Sequence, residues 1–160
     1  MKKTLTKSQQ GKKNKRDGAK FELLVRKYLE SKGWIVSKWM NNVEFPDIVR
    51  IPATENTSIE AFDKKRFNEG RLSPAKHKFC GIGRPMALGT GFPDFICFKR
   101  TTDNQDYDVI GVEVKSNGYL DKEEKIKCKW LMKNKIFNYI WIAKKGEDKE
   151  EILFSTFKDE

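Results

Sequence analysis

Cysteine is scarce in this chain, and the three present, Cys80, Cys97 and Cys128, lie far apart. An odd, widely spaced set with no C-x-x-C pair lacks the pattern of a metal centre, and His77, the sole histidine, adds too few ligands for zinc or an iron–sulfur cluster. The cysteines are read as structural thiols. Long apolar runs are missing too: none approaches the roughly 20 residues of a membrane span. The N-terminus carries no apolar signal-peptide core. The expectation is a protein of the cell interior, cytoplasmic or nucleoid-associated, with no membrane partner. Internal repeats and linkers are also absent, and 160 residues suit one domain able to bury its own core.

Acid is absent from residues 1–16, "MKKTLTKSQQGKKNKR", which hold six lysines and one arginine. Seven of the ten net positive charges therefore sit in a tenth of the chain, and the rest is nearly balanced. So polar a segment predicts a disordered arm over 1–16. Its charge suits neutralising phosphates, through Lys12, Lys13, Lys15 and Arg16 among others. An anionic membrane surface is the weaker option, because Met1 and Leu5 are the only apolar anchors the arm offers.

Order is expected from Asp17, a suitable N-cap. Phe21, Leu24, Val25, Tyr28 and Leu29 share one face at helical spacing, and Gly33 supplies the stop. "WIVSKWM" reads as a strand. Residues 41–88 read as an irregular insertion with one short helix in "SIEAFDKKRFNEG". "DFICFKR" and "YDVIGVEVK" read as strands joined by the polar turn "TTDNQD". "DKEEKIKCKWLMKN" reads as a helix with Ile126, Trp130 and Leu131 inward, and "KIFNYIWIAKK" as a buried strand. "EEILFSTF" fits either an edge strand or a last helical turn. The fold class is α/β, with 17–160 forming a single domain.

Phe-Pro-Asp occurs twice, at 45–47 and 92–94, and the strands around each decide which aspartate matters. A hairpin turning between Asp103 and Asn104 sets Asp94 opposite Glu113. Directly opposed side chains have Cβ atoms about 5 Å apart. Two ionised carboxylates at that distance repel by roughly 3 kcal/mol at an effective dielectric of about 20. A purely structural sheet avoids such a pair, whereas a divalent cation between the two turns repulsion into ligation. Lys115 shares Glu113's face, since alternate residues of a strand point the same way. Ile110, Val112 and Val114 face a core, and Gly111 is expected to leave the polar face open. The other aspartate fares worse. A hairpin around Asn41-Asn42 places Asp47 opposite Val36, with its proline marking an edge strand.

"FPD" at 92–94 followed by "VEVK" at 112–115 resembles the PD-(D/E)xK nuclease superfamily. The order helix, strand, insertion, hairpin, helix, strand matches that superfamily's restriction-endonuclease-like αβββαβ core, a central mixed sheet flanked by helices. The resemblance covers 17–40 and 89–145, and within the superfamily is greatest to archaeal-type Holliday junction resolvases and virus-type replication-repair nucleases. It implies a Mg²⁺- or Mn²⁺-dependent DNA endonuclease of repair or recombination, with branched DNA as substrate and a homodimer as its assembly. Asp94, Glu113 and the carbonyl of Val114 would hold the metal, and Lys115 would orient water or offset charge on the phosphate. Glu22 matches the acid those groups carry on the first helix; taken alone it reads equally as a solvated charge.

The chain departs from the pattern in two places. The virus-type group often carries a glutamine on the helix after the lysine motif; here Lys125 and Lys127 are the nearest candidates. The insertion also exceeds what a minimal resolvase needs. "RLSPAKHKFCGIGRPM", with Lys76, His77, Lys78 and Arg84, either lines DNA or is a solvated loop. Gly89 and Gly91 would allow a phosphate close to the backbone, and Ser116 and Asn117 would contact it. The rival reading is a non-catalytic nucleic-acid-binding protein that keeps the nuclease fold.

Overall fold

The computed structural model describes residues 6–46, 67–76, 91–102, 106–148 and 151–158. Helix α1 (Lys7–Ser31) leads into strand β1 (Ile35–Lys38). Strands β2 (Asn41–Glu44) and β3 (Arg71–Pro74) follow, then the hairpin β4 (Phe95–Arg100) and β5 (Tyr107–Val114). Helix α2 (Lys122–Lys133), β6 (Tyr139–Lys145) and β7 (Ile152–Thr156) complete the order.

Five strands form a mixed sheet in the order β1-β4-β5-β6-β7, parallel only between β5 and β6. The parallel step needs a crossover, and α2 provides it. The sheet is covered on both faces. Phe21, Val25 and Leu29 of α1 pack on Val36, Phe95, Cys97, Ile110 and Val112. On the opposite face Cys128, Trp130 and Leu131 of α2 join Phe92, Phe137, Ile140 and Ile142. The chain is thus α/β, a mixed sheet flanked by helices. No helix among the described residues is long and apolar enough to cross a membrane.

Several expectations change here. Helix α1 begins ten residues ahead of Asp17, so 7–16 is helical and not a disordered arm. Thr6 caps it: its Oγ1 accepts from the Gln9 amide, and the Gln9 side chain accepts from the Thr6 amide, a reciprocal capping box. Lys, Gln and Arg dominate this stretch and lose little rotamer freedom in a helix, so polarity alone did not forbid one. The stop at Gly33 stands, with φ of 82°, a left-handed conformation that glycine adopts without Cβ strain.

The hairpin around Asn41-Asn42 does not form. Strand β1 pairs with β4, with Val36 opposite Cys97, and Asn41 and Asn42 lie within β2, which pairs with β3 in a separate two-stranded sheet. Residues 41–44 and 71–74 are therefore regular, and Val43 is buried against the α2 core. Asp47 and most of the expected short helix lie outside the described residues. Ile126 is 41 % exposed, because α2 turns Cys128, Trp130 and Leu131 inward instead. The C-terminal stretch is the edge strand β7.

Candidate active site

The β4–β5 register sets Phe95 opposite Val112, so the residues one step beyond, Asp94 and Glu113, face each other as expected. The Asp94 amide donates to Glu113 Oε2 at 3.1 Å, and the Val114 amide donates to Asp94 Oδ2 at 3.0 Å. Each carboxylate is thus tied to the opposite strand's end. Pro93 is fully buried over Gly111, where an added Cβ would lie 2.7 Å from Pro93 Cγ and 3.2 Å from the Phe137 ring. Gly111 therefore does not open the polar face; it makes room for the proline and ring that cover it. Gly91 is likewise committed: an added Cβ would come within 2.5 Å of the Trp39 and Asn41 carbonyl oxygens. The Phe92 amide donates to Asn41 and the Trp39 amide to Asp94. That close approach serves the chain's own backbone rather than a phosphate.

Burial dominates the electrostatics. Glu113 is only 6 % exposed, and desolvation, followed by the neighbouring Asp94 charge, pushes its carboxyl up to about 8. Burial raises Asp94 as well, against the opposing pull of Lys38 and the Val114 amide. Lys115 Nζ stands 3.3 Å from Glu113 Oε1 and in contact with Glu124 Oε1. Burial works against the Lys115 charge, but these two carboxylates outweigh it and raise its pKa.

Glu22 is in the site, though not touching Asp94 directly. Its Oε2 lies 2.6 Å from Lys38 Nζ, and the same nitrogen donates to Asp94 Oδ1 at 3.3 Å. Helix α1 thus delivers Glu22 from one face of the sheet and α2 delivers Glu124 from the other. An open cavity of about 360 Å³ at the strand ends is lined by Glu22, Asp94, Glu113, Lys115, Glu124 and Lys127 among others. Of the two lysines considered on α2, Lys127 reaches this cavity; it also pairs with Glu123 at 2.7 Å. Lys125 is exposed elsewhere on the helix.

Lys38 and Glu124 are the residues that sequence reasoning missed. Lys38 follows Val36 on the buried face of β1, and a lysine at such a position signals a partner. Glu124 closes a capping box with Asp121, legible as Asp-x-x-Glu at a helix start, and its other oxygen meets Lys115.

The remaining candidates lie farther out. Ser116 is exposed just past Lys115, whereas Asn117 accepts from the Tyr119 amide and serves a turn. Lys12, Lys13, Lys15 and Arg16 are exposed on the first half of α1. Lys76 pairs with Glu44 at 2.7 Å, beside a second groove of about 650 Å³ that also borders Arg71 and Lys127. His77, Lys78, Arg84 and Gly89 lie outside the described residues.

Among the described residues no cluster of three or more His, Cys, Asp or Glu side chains is gathered as a ready metal cage. The donors are nonetheless all oxygen, and Mg²⁺ is commonly held by one or two carboxylates with waters completing its shell. Asp94 and Glu113 fit that need, as adjacent acids, one partly and one fully buried, whose lysine partners are each shared with a further carboxylate. No protein-family model, curated protein or solved structure matches the chain.

Proposed function

We propose that the chain is a metal-dependent DNA endonuclease with the αβββαβ core of PD-(D/E)xK nucleases, acting on branched DNA as junction resolvases do. One observation carries the reading: Asp94, partly buried, and Glu113, buried, stand face to face at one end of the sheet, with Lys115 in contact with Glu113. Desolvating two adjacent acids is costly, and a folded protein that keeps them has a use for the charge.

Mg²⁺ or Mn²⁺ held by Asp94, Glu113 and the Val114 carbonyl would supply an activated water and polarise the scissile phosphate. Lys115, fixed by Glu124, presents an ammonium to charge developing on that phosphate. Glu22 adds a third carboxylate from α1. The basic first half of α1 contacts flanking phosphates, with Arg16 about 9 Å and Lys12 about 15 Å from Glu22 along the helix axis at 1.5 Å per residue.

The test is incubation of plasmid and four-way-junction DNA with the protein in Mg²⁺, Mn²⁺ or EDTA. Cleavage should need the metal and vanish in Asp94→Ala and Glu113→Ala, with DNA binding largely kept. Metal-independent binding without cleavage would instead favour a nuclease fold retained for binding alone. Normal cleavage by both variants would refute the site.

A further inference from the structure

Two lysines divide the acids of the site between them. Lys115 bridges Glu113 on the sheet to Glu124 on α2, and Lys38 bridges Asp94 on the sheet to Glu22 on α1. With all four carboxylates ionised, the set carries a net charge of minus two, the complement of one divalent cation. The two lysines differ in what holds them. Lys115 extends β5, and its amide donates to the Ala143 carbonyl of β6. Lys38 ends β1 opposite Phe95, and its Nζ lies 4.7 Å from the centre of the Phe95 ring. Its ammonium donates to Asp94 Oδ1, whereas the Val114 amide takes the other oxygen, Oδ2.

We propose that Lys38 is a positioning residue that keeps the cation's place: it bridges Glu22 and Asp94 while no metal is bound, and must leave Asp94 Oδ1 before that oxygen can ligate. The inference rests on the metal-dependent reading above and concerns the resting state of that site. Lys38 is then an internal competitor. It keeps two nearby acids from repelling one another, at the expense of metal affinity. The freed ammonium, on a backbone held at the end of β1 opposite Phe95, stays near the site, where a nucleic-acid phosphate offers it a new partner. Metal loading and substrate arrival thereby favour each other.

Calorimetric titration of the full chain with Mn²⁺, without nucleic acid, tests this directly. Lys38→Met keeps the stem and removes the charge. If the lysine-free arrangement of Asp94 is populated about a tenth of the time, the apparent affinity of the wild type is reduced about tenfold, and Lys38→Met should recover that factor. Lys38→Arg should bind as weakly as the wild type. A second measurement needs no variant: labelling of Lys38 by an amine-reactive acylating reagent, followed by mass spectrometry, should rise severalfold when Mg²⁺ is added. Wild-type binding with equal or weaker binding by Lys38→Met, or Lys38 labelling unchanged by Mg²⁺ in protein that binds it, would overturn the role of Lys38 and leave the nuclease reading standing. Absence of Mn²⁺ binding by both proteins would overturn the metal-dependent reading, and this inference with it.

Discussion

Asp94 and Glu113 are joined through the backbone of one and through the side chain of the other, the Asp94 amide donating to Glu113 Oε2 at 3.1 Å. The Val114 amide returns a bond to Asp94 Oδ2 at 3.0 Å. Neither carboxylate can move without disturbing the end of the β4–β5 ladder. Under the proposed function, such preorganisation would keep both ligands in place before substrate arrives.

Burial of Glu113 makes stability depend on pH. Its carboxyl titrates near 8 in the folded chain against an ordinary value of 4.5. Between those values the folded state holds a proton that the unfolded chain has lost, so this contribution is full at low pH and disappears as pH rises through about 8. Thermal unfolding in EDTA should show the wild type losing stability relative to Glu113→Gln from pH 5 to pH 8.5. Mg²⁺ affinity should rise over the same interval, because the cation must displace that proton. A wild type that gains on Glu113→Gln with rising pH would contradict the assignment.

Gly111 should not tolerate a methyl group. Its added Cβ would stand 2.7 Å from Pro93, a rigid ring that cannot swing aside. Overpacking of this kind costs about 1–3 kcal/mol. Since Pro93 precedes Asp94, Gly111→Ala should lower Tm and also weaken Mn²⁺ binding in the protein that remains folded. Unchanged Tm and unchanged binding would show that the proline does not seat the aspartate.

Lys115 and Glu124 should behave as a pair. Lys115→Ala should lower turnover more than metal affinity, because its proposed partner is charge that develops on the phosphate. Glu124→Gln keeps the cap's shape yet removes the anion against Lys115, so it should give a smaller loss of the same kind. Combined, the two changes should cost little more than Lys115→Ala alone, as expected for residues acting through one contact. Full additivity in a double-mutant cycle would separate them.

The basic half of α1 should act on binding rather than chemistry. Deleting residues 1–16 removes seven positive charges and none of the proposed ligands. If four of those cations meet phosphates, the slope of log K against log salt should flatten by about 3.6, at roughly 0.9 per contact on duplex DNA. Linear duplex and four-way junction should be affected alike, since phosphate contacts carry no base information. Turnover at saturating DNA should stay near normal. An unchanged slope would make this segment a bystander, and a loss confined to the junction would make it a reader of shape.

What could be read from the sequence was what nearest neighbours decide. A short polar turn pins the register of β4 on β5, so the opposition of Asp94 and Glu113 followed from counting residues back from Asp103 and Asn104. Helical spacing likewise put Phe21, Leu24, Val25, Tyr28 and Leu29 on a single face; Phe21, Val25 and Leu29 are buried and Leu24 partly so, whereas Tyr28 at its border is exposed. The capping boxes at Thr6 and Asp121 are equally local, yet neither was read from the sequence, where the charge of 1–16 argued for disorder.

Long-range pairing was decided only in three dimensions. Asn41-Asn42 has the composition of a turn, yet β1 turns to β4, whose Phe95 and Cys97 join it beneath α1, while β2 finds β3. Strand partners are chosen by the apolar surface each pairing buries, and that sum runs over the whole fold. Lys38 meets Asp94 across fifty-six positions of chain, and Glu22 across sixteen, only because β1 and α1 pack where they do. A sequence shows which residues alternate along a strand. Which acid a lysine at its end will meet depends on the neighbour that the core selects.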